Sequence, residues 1–264
     1  MPREYTYGPY PSRRLGLSLG VDVLPKIKTC TFDCVYCEIG QTKKLVDANF
    51  RISLPPSHKF EKELKDIIKH FPHLDSITFG YNGEPTLNEK LIDFYKIAYK
   101  VREETKWTQK KPVITLFTNS TTLGSEKIRK TIINFDVVLA KLDAGTQEDY
   151  IRTNRPHPDS PNINLIVENL TKLSREIAPN SLILQCLIYN SYRKDFIPNC
   201  NEENIRNIAI AINKIRPNKV QIYSIGRIPS EYFVFSVDKS MMDRISKIFE
   251  EYVKDSLIEI NFYL

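Results

Sequence analysis

Cysteine is scarce in this chain and oddly placed: there are five, and three of them fall within eight positions, Cys30 to Cys37. An odd, clustered set excludes a disulfide framework as the organising device of the fold, and it suits a compartment in which thiols stay reduced. Long apolar runs are missing as well. Nothing approaches the ~18–20 residues of a membrane span, and the opening MPREYTYGPYPSRR has no apolar core behind its charges, unlike a secretory leader. The expectation is a cytoplasmic protein with no membrane partner. No repeat or low-complexity tract occurs, and neither G-x-G-x-x-G nor G-x4-G-K-[ST] is present, which removes the common dinucleotide and P-loop readings. Excess charge of one sign is modest at +6; a Lys-rich solvated surface accounts for it, and a phosphate-bearing or nucleic-acid partner is the sharper alternative.

What is present is a hydrophobic content of 41%, enough for a packed core, and a regular alternation of short apolar runs with helical patterns. The runs predict strands at Leu19–Val23, Ser76–Phe79, Val113–Phe117, Val137–Leu142, Leu182–Ile188 and Lys219–Ser224, each read as buried on both faces. Between them, apolar residues recur at helical spacing: Phe60, Leu64, Ile67 and Ile68 after a possible Ser57 cap; Leu91, Phe94, Ala98 and Val101; Ile163, Ile166, Leu170 and Leu173; Ile205, Ile208, Ile212 and Ile215. A weaker helix is expected after Gly124 with Ser125 as cap, a last one carries Ile245, Ile248 and Phe249, and residues 258–262 alternate like a half-exposed strand. Strands separated by helices imply parallel βαβ units, hence an α/β barrel, complete or partial, or an open doubly wound sheet. Polar residues at the carboxyl ends of strands (Glu84, Thr118-Asn119-Ser120, Lys141 with Asp143, Ser224 with Arg227) favour a barrel, where those ends share one mouth.

The cysteines read Cys30-x3-Cys34-x2-Cys37. Thiolates this close suit a soft metal or an iron–sulfur cluster. Structural zinc asks for a fourth nearby ligand, and none follows; Cys186 and Cys200 are distant, and only His70 and His73 are closely spaced among the histidines. Three protein ligands on a four-iron cluster leave one iron open to a small molecule, a catalytic arrangement.

This C-x3-C-x-aromatic-C pattern after a first strand resembles the signature of the radical S-adenosylmethionine (SAM) superfamily. Gly80-Tyr81-Asn82-Gly83-Glu84 resembles its G-G-E element, with Asn82 in place of the usual first glycine, so Gly83 and Glu84 are the part carried over. Thr118-Asn119-Ser120 and Lys141-Leu142-Asp143 are similar to family positions that contact SAM, and Tyr36 matches the aromatic before the last cysteine. The segments Tyr7–Gly16, Asn154–His157 and Val220–Tyr223 with Arg227 resemble a single-domain branch related to the wyosine-base tRNA synthases, although no cysteine precedes Cys30 to hold the second cluster of those synthases.

The resemblance implies a partial (β/α)6 TIM-like barrel spanning 1–264 as one domain, with segment 1–18 packed near the barrel and a short extension from about 238. It implies a [4Fe–4S] cluster on Cys30, Cys34 and Cys37, with SAM contacted by Tyr36, Gly83, Glu84, Asn119, Ser120, Lys141 and Asp143. The reaction it implies is oxygen-sensitive reductive cleavage of SAM to a 5′-deoxyadenosyl radical, driven by a flavodoxin- or ferredoxin-type reductant. The substrate is read as a small phosphorylated or carboxylated metabolite met by some of Arg13, Arg14, Arg155 and Arg227; two alternatives are a tRNA base and a non-enzymatic role as an iron–sulfur electron-transfer protein. Arg13 and Arg14 are read as adjacent residues of a strand-like segment, pointing to opposite faces.

Overall fold

The structure, a computed structural model, describes residues 3–264. Eleven strands are formed: β1 Thr6–Ser12, β2 Gly16–Val21, β3 Thr29–Cys30, β4 Lys44–Leu45, β5 Ser76–Phe79, β6 Val113–Thr118, β7 Val137–Lys141, β8 Leu182–Ser191, β9 Lys219–Ser224, β10 Val234–Ser236 and β11 Glu259–Tyr263. The main sheet runs β1-β2-β5-β6-β7-β8-β9-β11, with β10 paired to β8. Pairing is parallel from β2 to β11 and antiparallel only at β1–β2 and β8–β10. The sheet curls into a partial TIM-like barrel.

Seven helices cover its outer face: α1 His58–His70, α2 Leu91–Glu104, α3 Glu126–Ile132, α4 Gln147–Asn154, α5 Ile163–Glu176, α6 Glu202–Ile215 and α7 Lys239–Tyr252. Most begin at a side-chain cap that satisfies an orphan N–H. Ser57 and Ser125 cap α1 and α3 as the sequence suggests, and Asn162, Asn201 and Asp238 do the same for α5, α6 and α7. Helix α4 has no counterpart among the expected helices; it carries few apolar residues on one face, and its cap Thr146 and its left-handed stop at Arg155 define it instead. Arg13 and Arg14 do not lie in a strand but in the tight turn between β1 and β2.

Alternate strand residues face opposite ways, and the two faces of this sheet differ in chemistry. Leu19, Ile77, Leu116, Ala140, Leu184 and Ile222 belong to the large core shared with the helices. Their neighbours Ser18, Thr78, Thr115, Lys141, Gln185 and Gln221 line the inner face instead; Thr78, Thr115, Gln185 and Gln221 are buried as expected of strands covered on both faces, but this second face is polar. The inner groups bond to one another: Ser18 Oγ to Thr78 Oγ1 at 2.7 Å, Ser76 Oγ to Thr115 Oγ1 at 3.0 Å, and Gln185 Nε2 to Gln221 Oε1 at 2.8 Å. A barrel built only for stability would fill this space with branched apolar side chains. No helix among the described residues is long and apolar enough to cross a membrane.

Candidate functional site

The cysteine loop leaves the carboxyl end of β2 and is fastened at its start by the loop after β5. Thr29 N–H donates to the Asn82 carbonyl at 3.1 Å, and Glu84 N–H donates to the Thr29 carbonyl at 3.2 Å. Gly83, at φ +131°, sits so close to Thr29 that any Cβ would overlap the Thr29 carbonyl oxygen. The side chain of Asn82, at the position where the usual motif has glycine, donates to the carbonyls of Pro25 at 2.7 Å and Lys26 at 2.8 Å, so it ties down the approach to the loop.

All three cysteines are free thiols with partial exposure. Each sulfur has its own nitrogen donor from a different part of the chain. Asn119 Nδ2 lies 3.5 Å from Cys30 Sγ, Asn154 Nδ2 lies 3.4 Å from Cys34 Sγ, and Lys28 Nζ lies 3.1 Å from Cys37 Sγ. Burial, joined by the neighbouring thiol, raises Cys30 well above an ordinary thiol and pushes Cys34 up to about 12. Thiolates here therefore need positive charge beside them, which bound iron supplies. Among the described residues no three His, Cys, Asp or Glu side chains converge on one point, as a mononuclear metal would require. A four-iron cluster takes each thiolate on a separate iron, and donors to the sulfurs tune its potential; the three thiols and three donors fit that group.

Glu84 is 1% exposed and its carboxylate is fully engaged. It accepts from Thr86 Oγ1 at 2.5 Å, Thr86 N–H at 3.2 Å, Thr118 Oγ1 at 2.9 Å and Asn119 N–H at 2.6 Å. Burial raises its pKa although these four donors oppose the shift. Glu84 thus caps the turn after Pro85 and fixes the end of β6, which in turn aims Asn119 at Cys30 and, at 2.7 Å, at Thr31 Oγ1. Ser120, left-handed at φ +74°, donates to the Lys141 carbonyl at 2.9 Å rather than capping the next turn.

Asp143 is the second buried carboxylate. Its Oδ1 meets Lys141 Nζ at 3.0 Å and Leu187 N–H at 2.7 Å, while its Oδ2 accepts from the Tyr36 hydroxyl and from Asn154 Nδ2 at 3.3 Å. Lys141 lies 4.7 Å from the Tyr36 ring centroid and donates to the Tyr223 hydroxyl at 2.9 Å. Burial works against its charge, but Asp143 and Tyr223 win and hold its pKa above the usual lysine value. Asn119, Lys141, Asp143 and Asn154 line a small recess beside the cysteine loop.

The predicted residues from Cys30 to Asp143 thus surround one region, whereas the candidate arginines Arg13, Arg155 and Arg227 are each engaged by another part of the chain. Arg13 donates to the Leu264 carbonyl, Arg155 pairs with Glu231, and Arg227 pairs with Glu38 at 3.0 Å. Sequence reasoning missed Lys28, Thr31 and Asn154 as parts of the site. Lys28 and Thr31 could have been flagged by adjacency to Cys30; Asn154 opens the segment Asn154–His157 already singled out, but nothing in it points to Cys34, which Asn154 reaches from the end of α4. Arg14, rather than Arg13, faces inward, its guanidinium 3.7 Å from the Tyr223 ring centroid.

Comparison with known proteins supplies relatives of the whole chain, and no family model matches it. The chain is 31% identical over 256 residues to the UPF0026 protein MJ1312 of Methanocaldococcus jannaschii, covering 96% of this chain and 74% of that one. It is also 28% identical over 247 residues to a Brachyspira hyodysenteriae protein named GTPase Obg, of which it spans only 33%. Among solved structures, Streptococcus suis SuiB superposes with a TM-score of 0.59 at 11% identity, over 96% of this chain and 50% of SuiB. TYW1 with a lysine-pyruvate adduct gives 0.58 at 15% identity, over 89% and 73%. The protein anSMEcpe with bound AdoMet and a peptide gives 0.53 at 15% identity, over 91% and 62%.

Proposed function

The chain belongs to the UPF0026 family, a branch with the radical SAM fold, and from that premise we propose that it cleaves SAM reductively with a [4Fe–4S] cluster held by Cys30, Cys34 and Cys37. The observation that carries this reading is the trio of free thiols on one loop, each facing its own donor, Asn119, Asn154 or Lys28. When bound, the reduced cluster supplies the electron that splits SAM into methionine and a 5′-deoxyadenosyl radical, which takes hydrogen from a substrate. A flavodoxin- or ferredoxin-type protein is the source of that electron in this reading.

The chain's own residues bind and orient. The backbone at Gly83, held against Thr29, would contact the methionyl end of SAM. Asn119, Lys141 and Tyr36 would contact SAM, while buried Ser120 and Asp143 would hold Lys141 and Tyr36 in place, and Lys141 stays cationic beside Asp143. Glu84 acts by positioning the β6 end, since its oxygens are already engaged. The substrate is a small anion admitted to the polar inside of the barrel, and the whole chain serves as one core domain in a reducing, cytoplasmic setting.

Anaerobically purified protein should bind about four irons per chain with matching sulfide and, given dithionite, convert SAM to 5′-deoxyadenosine. Cys34→Ala should abolish the iron and the conversion. Stoichiometric zinc without sulfide would sink the assignment, and iron without any SAM cleavage would leave an electron-transfer protein. Tight tRNA binding that survives physiological salt, with tRNA-dependent SAM loss, would replace the small substrate by RNA.

A further inference from the structure

The inner wall of the barrel carries groups that the reading above leaves unused. Lys141, Gln185, Gln221 and Asn261 are register partners in one row across β7, β8, β9 and β11, so their side chains share the face turned away from the helices. Tyr223 follows two residues after Gln221 on that same face and carries the Arg14 guanidinium on its ring.

Three buried polar atoms on this wall have no hydrogen-bond partner among the described residues: Arg14 Nη1, Gln185 Oε1 and Asn261 Oδ1. Gln185 is fully buried, and its amide nitrogen is already committed to Gln221. Arg14 has no carboxylate partner among the described residues, in contrast to Arg155 and Arg227. Lys141 on this wall is neutralised by Asp143 at 3.0 Å, and Glu259 by Lys219 at 2.8 Å. Buried donors and acceptors left unpaired are costly and rare, and here a donor with net positive charge and two amide acceptors collect on one surface. A guanidinium stacked flat on an aromatic ring keeps its edge N–H groups free for an oxyanion.

We propose that this wall is the substrate-recognition site, and that its ligand is a small anion, carboxylate or phosphate, bound by Arg14 and carrying hydroxyl or amine donors for Gln185 Oε1 and Asn261 Oδ1. The assignment names the substrate class of the proposed radical SAM reaction and rests on that reading for the ligand's fate, but not for its binding.

The test is isothermal titration calorimetry on the full-length holoprotein with four probes: glycerol 3-phosphate, glycerate, glycerol and inorganic phosphate. Glycerol 3-phosphate or glycerate should bind at least tenfold tighter than either glycerol or inorganic phosphate, and the better of the two identifies the anion as phosphate or carboxylate. Arg14→Gln should weaken that binding at least tenfold, and Gln185→Leu and Asn261→Leu should each weaken it several-fold while sparing inorganic phosphate. Thermal melts of each variant check folding, and where Gln185→Leu is unfolded, Asn261→Leu decides the amide contribution. Absence of binding by all probes, or affinities indifferent to Arg14→Gln, overturns the site. Iron content and SAM cleavage in the same preparations are separate readouts: a protein that binds the anions but lacks the cluster refutes the function and leaves this site standing.

Discussion

Gly83→Ala tests the link between the loop after β5 and the cysteines. Alanine at φ +131° occupies backbone space that L-residues rarely adopt, at a cost of about 1–3 kcal/mol. The new methyl also overlaps the Thr29 carbonyl, which is backbone and cannot rotate away; forcing the two chains apart adds about 1–3 kcal/mol. The hydrogen bonds of 3.1 and 3.2 Å that flank this contact lengthen together, and Cys30 shifts with Thr29. The sum, about 2–6 kcal/mol, is a large part of the roughly 5–15 kcal/mol that stabilises a domain. Urea melts should show a lowered midpoint, and anaerobic protein should lose most of its iron. Gly40→Ala is the control: Gly40 is also left-handed, at φ +85°, but has open space around it, so only the backbone cost remains. Equal stability and iron content in wild type and Gly83→Ala would refute the argument that the Gly83–Thr29 contact places the first cysteine.

Three further outcomes are expected. Glu84→Gln should cost about 1–3 kcal/mol in urea melts, because an amide nitrogen would face donors that now meet a carboxylate; unchanged stability would show that the four hydrogen bonds contribute nothing. Lys28→Met removes a cation in contact with the Cys37 sulfur and should move the cluster's potential to more negative values in an EPR-monitored titration; an unmoved potential would separate Lys28 from the cluster. Burial pushes Asp22, at the end of β2, up to about 6, against about 4 in an unfolded chain. The folded state then binds more protons than the unfolded one between those values, so stability falls as pH rises from about 4 to 6 and levels off above. Asp22→Asn should flatten this window, and an identical pH profile in the variant would rule the group out.

The order and type of most elements were legible in the sequence because period and capping are local properties. Phe60, Leu64, Ile67 and Ile68 mark one face of α1 whatever surrounds it, and Ser57 and Ser125 cap helices through contacts within three residues. The spacing of Cys30, Cys34 and Cys37 is local too, as is the Gly83-Glu84 dipeptide. Only the tertiary structure decided what these parts face. Sheet register aligns Lys141 with Gln185, Gln221 and Asn261, residues up to 120 positions apart, and no pattern along the chain encodes that row. The same holds for Asn154, brought to Cys34 by the fold of α4, and for the opposite fates of Arg13 and Arg14, which depend on a turn rather than a strand. Side-chain partners are set by distances across the barrel, and those exist only once the sheet has curled.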